Sequence, residues 1–318
     1  MLLRTEPSPL HKPMTKKPNI YIFGRGLVGS RLEHELRLSG EVNVVSSVEA
    51  PSGHRIESTP PATDISRILS ELIKIHGQPS LIVNTLGVIG KPNVDWCEDH
   101  KEETKYGNVD IPVEMAWTAI KLNVPFVHIS TGCIFNDPTG ERVFMPSDEA
   151  NFTGSYYSWS KAEAEKQLKA LYEEYDNARI ELHRIRMPFS SEYDPRNLIN
   201  KLVAYDTLVD CNNSMTSLDD YTVWAAQRIL DIVGRPATEE VEKWWSVKHA
   251  VNKGAIKHSE IVDFIRDMLD VSMKTKTYIT PAELDKLTKV PRSNCVLGAE
   301  ELQDIRTALF TALKNYAK

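Results

Sequence analysis

No stretch of this 318-residue sequence approaches the roughly 18 consecutive apolar residues that a membrane-spanning helix needs, so membrane-embedded classes are set aside. Excess basic charge is missing too: 38 Lys and Arg against 44 Asp and Glu leave a net charge of −6, and no general field draws in a phosphodiester backbone. Neither nucleic acid nor a membrane is an expected partner. Cysteine is scarce, with Cys97, Cys133, Cys211 and Cys295 far apart and no C-x-x-C among them. That argues against a disulfide scaffold or a zinc knuckle and for a reducing compartment, so a cytoplasmic location is expected. Cys97 and His100 stand at C-x-x-H spacing, but no second ligand pair follows, and no metal is expected. Internal repeats, low-complexity tracts and collagen-like glycine are also absent. What is there is ordinary for a soluble globular protein: 41% hydrophobic and 26% charged residues, at a length that suits one large or two modest domains.

Residues 1–17 combine three prolines with scattered basic side chains and lack the apolar core of a secretory signal; they read as a disordered tail. From Pro18 the pattern becomes a short apolar strand, Ile20 to Phe23, a glycine loop, and a helical period from Leu27 to Leu38. Further β-type runs stand at Val42 to Val45, Leu81 to Val83, Val124 to Ile129 and Ile180 to Ile185, with helical stretches between them. Strands alternating with helices imply a parallel sheet with right-handed crossovers. The proline-rich segment His54 to Pro61 reads as a loop leading to a helix that Asp64 caps. After Ile185 the alternation weakens, with a short helix around Leu198 to Tyr205 and helical patterns at Tyr221 to Ile232, Ser259 to Met268 and Ala299 to Tyr316. Trp244 and Trp245 read as part of a strand returning to the core. The expected fold is α/β: a Rossmann-type doubly wound parallel sheet with a smaller, interleaved C-terminal substrate lobe. The dinucleotide-binding part is expected over residues 18–188 and about 221–255, and the lobe over 189–220 and 256–318.

Gly24, Arg25, Gly26, Leu27, Val28 and Gly29 form a G-x-G-x-x-G between a strand and a helix. The first glycine suits the tight turn, the second lets a pyrophosphate approach the backbone, the third permits close helix packing, and the helix N-terminus favours the anion. About 20 residues further on, where an NAD site usually places a carboxylate, the chain reads Val45-Ser46-Ser47-Val48. Without that carboxylate a 2′-phosphate meets no repulsion, and Arg25 offers an opposing charge, so NADPH is expected over NADH. The alternative is that Glu49 takes the acidic role and Arg25 is only solvated. Tyr157 and Lys161 lie four apart on one face of the helix that follows the loop Asn136 to Asn151. An ammonium beside a phenol is expected to lower the phenol's pKa toward a range useful for proton transfer. Y-x-x-x-K also arises by chance; its place after a glycine loop and a strand ending in Ser130-Thr131 is what raises it.

That order resembles the short-chain dehydrogenase/reductase plan, and the likeness extends further along the chain. Asn84-Thr85-Leu86-Gly87, Lys91 to Glu98, Thr131-Gly132-Cys133-Ile134-Phe135, Asn151 to Ser155, Arg184 to Pro188, Pro195-Arg196-Asn197, Asn213 to Thr216 and Pro291 to Asn294 are together similar to one extended subfamily. It comprises the reductases of nucleotide-activated L-rhamnose synthesis: dTDP-4-dehydrorhamnose reductases and, closer, bifunctional UDP-4-keto-6-deoxyglucose 3,5-epimerase/4-reductases. The glycine loop is one residue shorter than in those relatives. The resemblance implies that Thr131 orients the substrate carbonyl, Tyr157 is the general acid, and Lys161 tunes Tyr157 and binds the nicotinamide ribose. It also implies that Asn84, Met187 and Pro188 line the cofactor site, and that Asn108 is structural or part of a proton relay. Cys133 and Lys201 match the epimerisation pair; the plain alternatives are a small buried thiol and a surface lysine. Asn151, Arg196, Asn197, Asn213 and Arg292 match positions expected at the substrate, with Arg186, Arg292 and Asn213 each equally open between a ligand contact and a structural anchor.

The implied activity is an NADPH-dependent conversion of UDP-4-keto-6-deoxy-D-glucose to UDP-L-rhamnose, on a substrate supplied by a separate 4,6-dehydratase, with homodimerisation open. Two alternatives stand beside it: a dTDP-4-dehydrorhamnose reductase without epimerase activity, and an NADP-binding regulatory subunit similar to the β subunit of methionine adenosyltransferase.

Overall fold

A computed structural model describes residues 17–49, 65–235, 242–269 and 271–316. The expected tail up to residue 16, the loop at His54 to Pro61 and the cap at Asp64 lie outside the described residues. Six strands form one sheet: β1 (Asn19–Phe23), β2 (Asn43–Ser46), β3 (Leu81–Asn84), β4 (Phe126–Thr131), β5 (Arg179–Ile185) and β6 (Trp244–His249). Their spatial order is β2-β1-β3-β4-β5-β6, and every pairing is parallel. Between them run α1 (Leu27–Ser39), α2 (Ile65–His76), α3 (Ile111–Lys121), α4 (Tyr156–Glu174), α5 (Leu198–Ala204) and α6 (Leu218–Val233), and after β6 come α7 (His258–Met268) and α8 (Ile305–Lys314).

The strands read as unbroken apolar runs because both faces of the sheet are covered. In β1, Tyr21 and Phe23 face the side where α2 and α3 contribute Leu69, Leu72 and Met115. Ile20 and Ile22, one residue out of phase, face the side of α1 and α6 with Leu32, Leu36, Leu218 and Ile229. This two-residue alternation splits one run of five buried residues between two cores. Trp244 and Trp245 do sit on a returning strand, β6, at the sheet edge, where Trp245 packs on Tyr172 with ring centroids 5.8 Å apart. The expected helix from Ala299 starts only at Ile305. Leu302–Asp304 is extended and pairs with Asn252–Lys253, and Asp304 caps α8 by accepting from the Arg306 and Thr307 amides at 2.9 and 3.2 Å. A third apolar cluster, including Phe189, Leu202, Ile261, Ile265 and Leu309, joins α5, α7 and α8 beside the sheet.

Strand order reverses between β1 and β3, so the loops leaving their carboxyl ends diverge and open a crevice there. The glycines explain how α1 starts so close to β1. Gly24 has φ +105, and a Cβ on Gly29 would lie 2.2 Å from the Gly24 carbonyl oxygen and 2.4 Å from the Thr85 hydroxyl. A Cβ on Gly26 would meet nothing within 4 Å. Gly29→Ala should therefore lose about 1–3 kcal/mol of stability, read from its urea midpoint. Gly26→Ala should unfold close to the wild-type midpoint while its dinucleotide affinity falls, because its new methyl fills the open space over the helix end.

Candidate active site

The loops at the switch point are pinned by short polar contacts. Thr85 donates its hydroxyl proton toward the Phe23 and Gly24 carbonyls at 2.9 and 3.1 Å, tying the β3 loop to the glycine loop. Asn84 is fully buried: its Oδ1 accepts from the Leu86 amide at 2.9 Å and its Nδ2 lies 3.1 Å from His128 Nδ1. It therefore shapes the Leu86–Gly87 turn with both ends of its amide. Burial, with Lys161 nearby, holds His128 well below the usual imidazole range, so this ring is neutral. Asn108 lies in a π-helical turn, Tyr106–Asp110, and clamps Val88 from both sides. It accepts from the Val88 amide at 2.7 Å and donates to the Val88 carbonyl at 2.9 Å and to Ser160 Oγ at 3.0 Å. At Gly87 a Cβ would sit 3.6 Å from Lys161 Nζ, so this turn lies directly against the ammonium.

The residues fit a dinucleotide. Gly26 precedes α1 with no side-chain cap and open space in front of it, which suits a pyrophosphate at the amide-rich helix end. Lys161 is 4% exposed, and among the described residues no acceptor is within hydrogen-bond reach of its Nζ. A buried ammonium without an acceptor is unfavourable alone and suits ribose hydroxyls. Arg25 is exposed, with Glu33 at 3.9 Å. Glu49 accepts from the Ser46 amide at 3.0 Å and lies 3.5 Å from both Arg37 and His76, so its carboxylate is engaged by the protein.

At the catalytic end, Ser155 caps α4 by accepting from the Ser158 amide at 3.1 Å. The cap sets Tyr157 in the first turn with Lys161 one turn on. Thr131, the last residue of β4, accepts from the Cys133 amide at 3.1 Å and shares a hydrogen bond with the Tyr157 hydroxyl. The expected lowering of the Tyr157 pKa is corrected by the structure. Burial and the neighbouring Cys133 push the phenol well above its ordinary range, against the Thr131 hydrogen bond and Arg186. Tyr157 is thus held protonated, as a proton donor must be. Burial instead lowers Lys161 to about 8, opposed by Glu165 and Cys133.

Cys133 is half-buried, and Arg186 Nη1 donates to its sulfur at 3.4 Å. Arg186 itself is 2% exposed and also reaches Ser293 Oγ at 3.0 Å, Ser293 O at 2.6 Å and Asn213 Oδ1 at 2.6 Å. Its place in the fold is an anchor under Cys133. Sequence reasoning missed that contact, which joins residues far apart in the chain. It also missed the buried pair behind the site, Glu165 with Arg184 at 2.6 Å, which reaches Ser130 on one side and His249 on the other. The available signal was Glu165 standing four residues beyond Lys161 on the same helix face.

The residues expected at the substrate are spread more widely. Lys201 lies half-buried on α5, where burial lowers its pKa; its charged neighbours are Asp194 and Arg196 rather than Cys133 or Tyr157. Arg196 is exposed and forked onto Asp194 at 2.7 and 2.9 Å. Asn197 is fully buried, caps α5 and donates to the Ser190 and Glu192 carbonyls, and Asn213 is saturated by Arg186, Cys295, Cys211 and Asn294. Both amides organise loops. Asn151 pairs with the Asn136 backbone at 2.9 and 3.0 Å. Arg292 is bidentate on Asp95 at 2.7 and 2.8 Å, and so ties the Pro291–Asn294 stretch to the Lys91–Glu98 stretch. Met187 carries φ 40, a strained conformation for a side-chain-bearing residue, and Pro188 accepts from the Leu198 amide at 3.2 Å.

A doubly wound sheet, a glycine loop opening its first helix, and Thr131, Tyr157 and Lys161 gathered beyond β3 and β4 define an enzyme of the extended short-chain dehydrogenase/reductase class. The chain belongs to the RmlD substrate binding domain family, whose model matches residues 18–309. It is 37% identical over 232 residues, 71% of either chain, to the bifunctional dTDP-4-dehydrorhamnose 3,5-epimerase/dTDP-4-dehydrorhamnose reductase of Arabidopsis thaliana. A trifunctional UDP-glucose 4,6-dehydratase/UDP-4-keto-6-deoxy-D-glucose 3,5-epimerase/UDP-4-keto-L-rhamnose-reductase of the same plant is 35% identical over 76% of this chain, which spans 34% of that protein. Among solved structures, the UDP-rhamnose synthase of Acanthamoeba polyphaga mimivirus superposes with a TM-score of 0.75 at 24% identity, covering 94% of this chain and 99% of the other. That last likeness is one of fold.

With Lys161 near 8, its ammonium is present below that pH and lost above it. Dinucleotide binding, followed by cofactor fluorescence, should weaken as pH rises through about 8. In Lys161→Arg, whose guanidinium stays charged, that weakening should be absent.

Proposed function

We propose that this chain is an NADPH-dependent 3,5-epimerase/4-reductase that converts a nucleotide-linked 4-keto-6-deoxyglucose to the L-rhamnose nucleotide, with UDP as the nucleotide. One observation carries the reading: Thr131, at the end of β4, holds the Cys133 backbone amide and meets Tyr157, a phenol held protonated with the Cys133 thiol close enough to act on it. The relatives named as epimerase/reductases support it. NADPH is favoured by the exposed Arg25 and by a Glu49 already engaged by the protein.

The cofactor supplies a hydride to the ketone carbon. Thr131 and Tyr157 hold the ketone oxygen, and Tyr157 gives it a proton as the alcohol forms. Lys161 steadies the ribose and the charge beside Tyr157. Inversion at the carbons flanking the ketone comes first, because only the ketone makes their protons acidic. Cys133 takes or returns those protons, with Lys201 as the second group, its ammonium already destabilised by burial. The 4,6-dehydration that makes the ketone is assigned to a separate catalytic unit, because the described residues hold a single glycine loop on a single six-stranded sheet. A reductase without epimerase activity is the second reading, favoured by the setting of Lys201 between Asp194 and Arg196.

Incubating the 4-keto-6-deoxyglucose nucleotide with NADPH in deuterium oxide should label the rhamnose product at C3 and C5. Product free of deuterium at both carbons, or no product without an added epimerase, leaves only the reductase. Tyr157→Phe should lower reduction by on the order of 10²–10⁴-fold while the protein stays folded.

A further inference from the structure

Arg186 is an unusual charge. It is 2% exposed, yet among the described residues no carboxylate pairs with it. Its two terminal nitrogens contact one thiol, one hydroxyl and two neutral oxygens, and its Nε is buried with no partner at all. The ionisable groups that act on it are three thiols and a phenol: Cys295, Cys133, Cys211 and Tyr157. The other buried guanidinium near the site, Arg184, is neutralised by Glu165 at 2.6 Å. A buried cation without a counter-ion is unfavourable, and the deficit is relieved whenever an anion forms against it. Cys133 is the titratable side chain that already accepts a hydrogen bond from Arg186, and it is half-open where Cys211 and Cys295 are buried.

We propose that Arg186 is a positioning residue for epimerisation: its guanidinium, 3.4 Å from the Cys133 sulfur, faces the anion that forms there as the proton is exchanged and aims the sulfur beside Thr131. The proposal rests on the epimerase reading given above. In the step it serves, the thiolate sulfur bonds to the proton of the carbon next to the ketone. That C–H bond breaks, and its electron pair passes into the enolate. Lys201, the second group of the proposed pair, then delivers a proton to the opposite face of the carbon, and the proton held by Cys133 returns through solvent to Lys201, so no atom or electron is gained or lost overall. While Cys133 carries the proton, the charge of Arg186 is again unbalanced, which drives the thiol to give the proton up and resets the site. Asn213 and the Ser293 carbonyl, each at 2.6 Å, keep the guanidinium from swinging away.

The first test needs neither substrate nor variant. Mass-spectrometric timing of iodoacetamide labelling on the native protein at pH 7 should show Cys133 reacting about tenfold faster than a cysteine in an unstructured peptide. A rate equal to or below the peptide's overturns the proposal, whatever the enzyme does to sugars. The second test compares Arg186→Gln with Arg186→Lys. In Arg186→Gln, Cys133 labelling and deuterium exchange at C3 and C5 should fall at least about tenfold more than reduction of an already epimerised ketone, and Arg186→Lys should recover part of both. Equal loss of exchange and reduction, or unchanged labelling in folded Arg186→Gln, overturns the role. If wild-type protein labels fast at Cys133 but exchanges no deuterium, the charge pairing stands and the epimerase reading is what fails.

Discussion

The site depends on one contact that tolerates no side chain: Gly29 of α1 against the Gly24 carbonyl and the Thr85 hydroxyl. It lets the first helix begin directly at the end of β1 and binds the glycine loop to the loop after β3. With those two loops fixed, the crevice at the reversal of strand order has a floor and one wall. The other wall follows from Asn108, whose π-helical turn clamps Val88 and reaches Ser160 on α4. The glycine loop, Lys161 and Tyr157 thereby become parts of one surface although well over a hundred residues separate them.

Charge is arranged in two layers around that surface. Behind it, Glu165 and Arg184 neutralise each other, with Ser130 and His249 filling the remaining hydrogen-bonding positions. Nearer the crevice are Lys161, on which Glu165 acts electrostatically, and Arg186, with which no carboxylate pairs among the described residues. A stable core alone would not leave them so, since unpaired buried charge is unfavourable. In the proposed reaction each meets a group that arrives or forms there: ribose hydroxyls at Lys161, and a sulfur that exchanges its proton at Arg186. Tyr157 is kept protonated by the same burial that depresses Lys161.

Much of this was legible in the sequence. Short unbroken apolar runs, the glycine loop and its helix, and the Y-x-x-x-K face are local patterns, and each appears where the spacing puts it. The start of α8 was not, because the Asp304 cap competes with a helical period that continues upstream of it. The direction of the Tyr157 shift was misjudged for a related reason: the ammonium four residues away is visible in sequence, whereas the burial that outweighs it is not. Among the residues expected at the substrate, Asn197 and Asn213 prove saturated by neighbouring backbone and side chains. Motif matching marks that a position matters and does not distinguish touching a ligand from holding the loop that does.

By itself, the sequence determined the class of fold and marked the candidate reacting groups, because periodicity, glycine placement and side-chain chemistry are properties of short segments. The absences it began from keep their meaning: the four scattered cysteines are all free thiols, three of them buried and Cys133 half-buried. Only the tertiary structure decided which charges are paired. Arg184 meets Glu165 from a neighbouring element, while Arg186, two residues along the same stretch, meets a thiol instead. Ion pairing across distant segments depends on how strands and loops pack in three dimensions, and no local pattern encodes it.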